Sequence, residues 1–432
     1  MRKLTIAPMI AATFFMVAGG PYGLEDIVQK TGYSVALLIL IGTPLLWSIP
    51  TAMMVSELAT SIPEEGGFYV WVRRGMGPFW GYQETWLTLA GSVFEMVLYP
   101  NLFVDYLGRF APNIVAGNRG LAIGFGMIAF CTAWNLMSAN AVGEGSLGLS
   151  LALLAPFVVV IVLALLRKPG TLSASIPLHR ADLLGGIMIA MWNYMGWDNL
   201  STVAGEVDCP QRTYPRAMLG ALVLVLATYL LPLAAVARTG LDPNVWQTGG
   251  WVDVGRFLGG GTLAVAIAAA GMIGAAGSFG ALMLSFTRLP AVMAEDGYLP
   301  RIFAWRHPRT DAPLVAIGAC AILWALAYPL GFERSLILDV VLTGLSILLE
   351  FWALAALRIR EPNLSRPYRV PGGTAGAIAI GLPPLALVIA ALVRNRATLV
   401  GETNEMVITG IVIGAGVVLY FVSRLWNRRA RA

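Results

Sequence analysis

Charge is what this chain has least of. Only 12% of its 432 residues are charged and 57% are hydrophobic, with a mean hydropathy of +0.73. A water-soluble domain carries about twice that charged fraction, so an ordinary soluble fold is excluded. Histidine is scarce as well. His179 and His307 both fall in loops, which leaves no imidazole inside the apolar runs to relay protons. The cysteines Cys131, Cys209 and Cys320 have the spacing of neither a disulfide framework nor a metal site. No HExxH, Gly-x-Ser-x-Gly or Walker loop occurs, which argues against a membrane-embedded enzyme and an ATP-driven pump. No cofactor motif is found, and no ring of repeated filter residues of the kind a channel needs. No linker or low-complexity tract divides the chain.

Long apolar runs are what the chain has instead. Twelve recur, near 5–30, 36–62, 78–108, 120–138, 141–166, 182–206, 215–237, 262–295, 313–332, 336–357, 376–393 and 405–425. Each is long enough to cross a bilayer about 30 Å thick, so the expected fold is all-α and integral to the lipid bilayer. The pI near 9.2 suggests nucleic acid, but the basic residues sit at the ends of the runs. With both termini in the cytoplasm, 18 of the 29 Lys and Arg fall inside, among them Arg2, Lys3, Arg73, Arg74 and Arg358. That excess obeys the positive-inside rule and supports an even number of spans. Arg428-Arg429-Ala430-Arg431 reads as a topology anchor. The Arg2-Lys3 start is like that of a signal peptide, but the stretch after it is too long, carries Glu25 and Asp26, and lacks a clear cleavage site. It is expected to be a retained span.

Two of the runs are broken. Gly19-Gly20-Pro21 interrupts the first, with Glu25 and Asp26 close behind, and Trp192 through Asp198 interrupts the sixth. Broken helices survive at membrane depth only where they line a cavity or pack against protein. Breaks in corresponding positions of two halves point to a transporter's substrate site. Gly23-Leu24-Glu25-Asp26 recurs in outline as Gly196-Trp197-Asp198-Asn199, which sets spans 1–5 (1–167) against spans 6–10 (181–358) as an inverted repeat. Two helices, 376–426, are appended. Gly271, Gly274, Gly277 and Gly280 recur at a spacing of three, which reads as close helix packing before it reads as binding.

Several motifs resemble the amino acid–polyamine–organocation superfamily. Ile62-Pro63-Glu64-Glu65-Gly66-Gly67-Phe68-Tyr69 with Gly77-Pro78-Phe79-Trp80-Gly81-Tyr82 resembles its re-entrant loop. Gly196-Trp197-Asp198 and Ala204-Gly205-Glu206-Val207-Asp208-Cys209-Pro210 resemble its sixth-helix signature, with Cys209 where that family usually has Asn. Ala294-Glu295-Asp296-Gly297-Tyr298-Leu299-Pro300 and Arg366-Pro367-Tyr368-Arg369-Val370-Pro371-Gly372-Gly373 resemble its later loops. Gly19 through Asp26, Leu98-Tyr99-Pro100 with Asp105, Trp192-Asn193 and Leu349-Glu350-Phe351 are most similar to the plant-type polyamine uptake transporters. The resemblance implies a twelve-helix LeuT-like 5+5 fold in the cell membrane and uptake of small organic cations. A cationic or neutral amino acid permease or exchanger is the alternative.

The acids carry the chemical expectation. Glu25, Asp26, Glu57, Glu95, Asp198 and Glu350 fall in expected spans, where no Lys or Arg is expected to balance them. Such residues default to function and face a cavity, and a cationic ligand is their natural partner. Tyr22, Glu25 and Asp26 are expected to share a half-helix face at i, i+3 and i+4, and Glu95 and Tyr99 another. In the resembled fold spans 1, 3 and 6 converge, so Gly19, Gly20, Pro21, Tyr22, Glu25, Glu95, Tyr99, Trp192, Asn193, Trp197 and Asp198 are the expected substrate-binding set. Trp192 occupies the place where arginine–agmatine exchangers of the superfamily stack a Trp on the cation, a contact worth about 2 kcal/mol. Trp197 and Tyr194 serve equally well as packing residues. Asp26, Glu57 and Glu350 are expected to hold a coupling proton or to serve structure. Pro21 brings no N–H to a break whose free N–H groups would otherwise hold a substrate carboxylate, so an amine is the better guest there.

Overall fold

The computed structural model describes residues 3–137, 139–170, 181–396, 399–400 and 403–431. Arg2, His179 and the side chains of Arg428, Arg429 and Arg431 lie outside them. The described chain is helical nearly throughout. It opens with α1 (Ile6–Val17), α2 (Glu25–Leu46), α3 (Ser48–Ser61), α4 (Phe68–Met76) and α5 (Pro78–Phe110). Next come α6 (Pro112–Val115), α7 (Asn118–Asn135), α8 (Ala139–Leu166) and α9 (Leu183–Asn193). The second half holds α10 (Pro210–Ala237), α11 (Gly250–Phe286), α12 (Arg288–Glu295), α13 (Leu314–Ala327) and α14 (Phe332–Arg360). The chain ends with α15 (Gly373–Ala379), α16 (Leu382–Asn395), a two-residue antiparallel pair (Leu399–Val400 and Thr403–Asn404), and α17 (Glu405–Arg431). Eight of these stretches are long and apolar enough to cross a membrane, and Ile6–Val17, Leu183–Asn193 and Leu314–Leu330 are shorter apolar helices.

Backbone chemistry explains the boundaries. Pro78 and Pro210 start α5 and α10, positions where a missing N–H costs nothing. Asp182 caps α9 by accepting from the Gly185 N–H at 3.1 Å, satisfying a donor the helix cannot. The first two expected spans meet without a loop, because α2 passes through Gly32 at φ +75°, a conformation only glycine adopts cheaply. Cys209 sits just before α10 at φ +43°, exposed. The left-handed region costs a non-glycine residue about 1–2 kcal/mol, and Asn tolerates it. Cys209→Asn is therefore expected to stabilise the protein by about 1 kcal/mol. A thermal melt in detergent checks this, and an unchanged or lower midpoint contradicts it.

Tertiary packing pairs the two breaks. Leu4 bonds to Glu206 and Asp208, each at 2.9 Å, while the Asp182 N–H reaches the Lys30 carbonyl at 3.3 Å. The segment from α1 into α2 thus runs antiparallel to the segment from α9 through the 3-10 helix Asn199–Glu206. The glycines of α11 make close contacts. A Cβ on Gly274 would lie 2.3 Å from the Gly19 carbonyl oxygen, and one on Gly277 2.4 Å from the Phe15 ring. The outer faces carry apolar side chains such as Leu166 and Leu326, exposed at 77% and 76%, as lipid contact requires.

Candidate functional site

The breaks create a cavity where α1, α5, α9 and α11 meet. It is lined by Gly19, Tyr22, Glu95, Tyr99, Trp192 and Asn193, joined by Tyr106, Gly271, Gly274 and Ser278. Glycine is required on its wall at Gly19 and behind the Trp192 ring at Gly23. A Cβ on Gly19, at φ +57°, would lie 2.1 Å from Ser278 Oγ, and one on Gly23, at φ +85°, 2.6 Å from the Trp192 ring. The space open to water centres is ≈ 20 Å³, little more than the ~10–15 Å³ one water needs. The site is closed as it stands, and a guest of several heavy atoms requires side chains to move.

Its electrostatics are one-sided. Glu95 is 6% exposed, its neighbour Tyr99 donates to it at 3.3 Å, and none of the ion pairs among the described residues includes it. Aromatic walls surround it: Tyr22 packs edge-on against Tyr106 at 4.7 Å between ring centres, and the Trp192 indole lies over Gly23. Asn193 latches the breaks together through the Gly23 carbonyl at 3.4 Å, while its own carbonyl accepts from the Tyr229 hydroxyl at 2.8 Å.

The span-1 break differs from the expected half-helix face. The helix begins only at Glu25, so Tyr22 lies in the irregular segment and donates to the Ile267 carbonyl at 2.9 Å instead of sharing a turn with Glu25 and Asp26. Glu25 folds back to accept the Gly23 N–H at 2.7 Å and also takes the Tyr106 hydroxyl. A carboxylate of the protein therefore occupies a donor of the break that a substrate carboxylate would use. The Pro21 carbonyl accepts from Trp251 Nε1 at 2.7 Å, and Gly20, at φ +103°, packs on the Tyr22 ring. Asp26 follows on α2, half-buried.

Glu57 is a correction. It was expected to lack a counter-charge, yet Arg358 grips both its oxygens, at 2.6 and 2.5 Å, and Arg366 lies 3.2 Å away. The Val370 N–H adds a further bond at 2.7 Å. Those arginines come from the end of α14 and the loop after it, so a search within one apolar run does not meet them. Trp197 and Asp198 are both buried, and neither lines the cavity.

Charged residues at the two ends of the bundle form separate networks. At one end Arg306 bonds Glu65 at 2.7 Å and Glu295 at 3.1 Å, Arg288 reaches Glu206 at 3.2 Å, and Tyr69 and Arg73 both contact Asp296. Burial lifts the Glu65 carboxyl above its ordinary range although Arg306 and Arg288 pull it down. At the other end Arg109 and Arg256 hold Asp253, and Arg394 holds Asp182. Among the described residues no group of His, Cys, Asp and Glu has the geometry to hold a metal ion.

Sequence reasoning missed Tyr106, Ser278, Glu84 and Asp339. The signal for three of them was present. Tyr106 lies seven residues after Tyr99 on one face of α5, and Glu84 and Asp339 are acids inside expected spans. Ser278 has no local signal, because only the α11 approach to Gly19 brings it to the cavity.

A family model described as amino acid permease matches residues 10–417. The chain is 35% identical over 414 residues to polyamine transporter PUT1 of Oryza sativa subsp. japonica, covering 95% of this chain and 78% of that one. It is 33% identical over 423 residues to polyamine transporter RMV1 of Arabidopsis thaliana, covering 96% and 84%. It is 25% identical over 342 residues to the serine/threonine exchanger SteT of Bacillus subtilis (strain 168), covering 74% of each. With broken apolar helices around a closed, acid-bearing cavity, and a family match over most of its length, this chain is a multi-pass membrane protein that belongs to the amino acid permease family.

Proposed function

We propose that the chain is a secondary carrier for polyamines such as putrescine and spermidine, working by alternating access in the cell membrane with both termini in the cytoplasm. The single observation that carries this reading is Glu95, a buried carboxylate in an aromatic cavity with no ion-pair partner among the described residues. An ionised carboxylate at membrane depth needs a cation, and an ammonium group supplies one. Trp192 stacks on the guest, Tyr99 and Tyr22 complete the aromatic wall, and Gly19-Gly20-Pro21 is the flexible break. Glu25 supports the amine over the amino acid, because it takes the Gly23 N–H that would bind an α-carboxylate.

The architecture proposed with it is twelve crossings, as a 5+5 inverted repeat. Residues 1–167 and 181–358 form the two repeats and 376–426 the appended pair. The antiparallel course of the two broken segments supports this arrangement. The charged networks at the two ends are the gates, the Arg306–Glu65 end facing the cytoplasm. The second reading is a cationic or neutral amino acid permease or exchanger, favoured by the likeness to a serine/threonine exchanger.

A competition panel separates the two. In proteoliposomes, labelled putrescine is expected to be displaced by spermidine and agmatine at least tenfold more effectively than by arginine or leucine. Better displacement by arginine or leucine refutes the polyamine reading.

A further inference from the structure

The cavity has a carboxylate at each end. Glu95 lines it directly, and Glu25 stands behind Tyr106, whose ring lines its other end. The two acids are buried, at 6% and 1% exposure, and neither enters an ion pair among the described residues. Each is held instead by a tyrosine of α5: Tyr99 donates to Glu95 Oε1 at 3.3 Å, and Tyr106 donates to Glu25 Oε1. The second Glu25 oxygen takes the Gly23 N–H at 2.7 Å. An ionised carboxyl has about four acceptor sites, so each acid has room for a further donor.

Helix geometry gives the separation. Tyr99 and Tyr106 are seven residues apart on the cavity face of α5, two turns or about 10 Å along the axis. The α11 wall repeats that length. Gly271 abuts the Tyr106 ring, and Ser278, seven residues further along α11, lies beside Gly19. Ser278 is 2% exposed, and its hydroxyl bonds nothing among the described residues. Between the ends the walls are apolar, with Leu102 on α5 and Ala275 on α11. Beyond Glu25 the start of α11 closes the slot, where a Cβ on Gly250 would lie 3.8 Å from Glu25 Cγ.

A slot of that shape fits a chain with a positive group at each end and methylenes between. An extended chain advances about 1.2 Å per bond. The nitrogens of putrescine, five bonds apart, are therefore separated by about 6 Å, and nitrogens eight bonds apart by about 10 Å. A monoamine leaves the second acid without a cation, and a cationic amino acid brings a carboxylate beside one of the two.

We propose that Glu25 is the second ammonium anchor of the site, so that Glu95 and Glu25 together measure the distance between two positive charges. This deepens, and rests on, the polyamine reading. The Tyr106 hydroxyl holds the Glu25 carboxylate while the site is empty. An arriving ammonium takes its place, because it brings the full positive charge that a buried carboxylate needs and a hydroxyl lacks. The Ser278 hydroxyl is an acceptor for one of the guest's N–H groups.

Calorimetric binding of unlabelled amines to the purified full-length protein tests this, with α,ω-diamines of two to ten carbons set against butylamine. The native protein is expected to bind putrescine at least about tenfold more tightly than butylamine, with the tightest diamine between about four and seven carbons long. Glu25→Gln is expected to shrink the putrescine-to-butylamine ratio below about threefold and to flatten the length series. Glu25→Asp keeps the charge and draws it back by one methylene. It is expected to retain a preference for diamines and to move the optimum about one carbon longer. Equal affinity for putrescine and butylamine in the native protein, or the native ratio in Glu25→Gln, overturns the second anchor alone. If Glu25→Gln does not fold, the Glu25→Asp series decides, and an unmoved optimum overturns the proposal. No binding of any amine by the native protein overturns the polyamine reading instead.

Discussion

Glu95→Gln is expected to reduce putrescine uptake at least tenfold while leaving the folded yield at the native level. The physical reason is the environment of one carboxylate. Glu95 is buried, has a single hydroxyl donor in Tyr99 at 3.3 Å, and no cationic side chain pairs with it among the described residues. A hydrogen bond to a charged group is worth about 1.5–3 kcal/mol, and each 1.4 kcal/mol is about tenfold in affinity. Gln keeps the shape and an acceptor but removes the charge that an ammonium needs. Because no partner of the protein loses its counter-charge, stability changes little. Initial rates of labelled putrescine uptake in proteoliposomes check this. Uptake within twofold of native removes Glu95 from the amine site.

Glu57→Gln is expected to do the opposite: to collapse stability rather than selectivity. Arg358 and Glu57 are each 1% exposed and Arg366 5%. Removing one partner of a buried ion pair costs about 3–5 kcal/mol, because the remaining charge stays buried and uncompensated. Here two guanidinium groups would be left, and the Val370 N–H would lose its carboxylate acceptor. The expected result is a markedly lower melting temperature and a poor monodisperse yield in detergent. A melt unchanged from native shows that the pair is solvated or dispensable. Carrying both variants through both assays separates an acid kept for a guest from an acid kept for the fold.

That contrast marks where reading the chain stopped. In the sequence Glu57 and Glu95 look alike: each is an acid in an apolar run that holds no Lys or Arg. What distinguishes them is Arg358, 301 residues away from Glu57, which approaches only because α14 packs against α3 and α4. Likewise Tyr22 sits three residues before Glu25, a helical spacing, but the glycines at φ +57°, +103° and +85° unwind the chain until Glu25. Spacing rules hold within a helix and not across its break.

The sequence by itself determined the membrane-embedded helical class, the places where spans 1 and 6 break, and the family. These are written in local quantities, namely the length of apolar runs, the φ freedom of glycine and the missing N–H of proline, which no distant contact can reverse. Only the tertiary structure decided which acids are neutralised, that Glu25 accepts the Gly23 N–H, and that α5 and α14 bring two stripes of acids and hydroxyls together. Those are questions of which charge lies within a few ångströms of which, and in a low-dielectric interior that separation sets the energy.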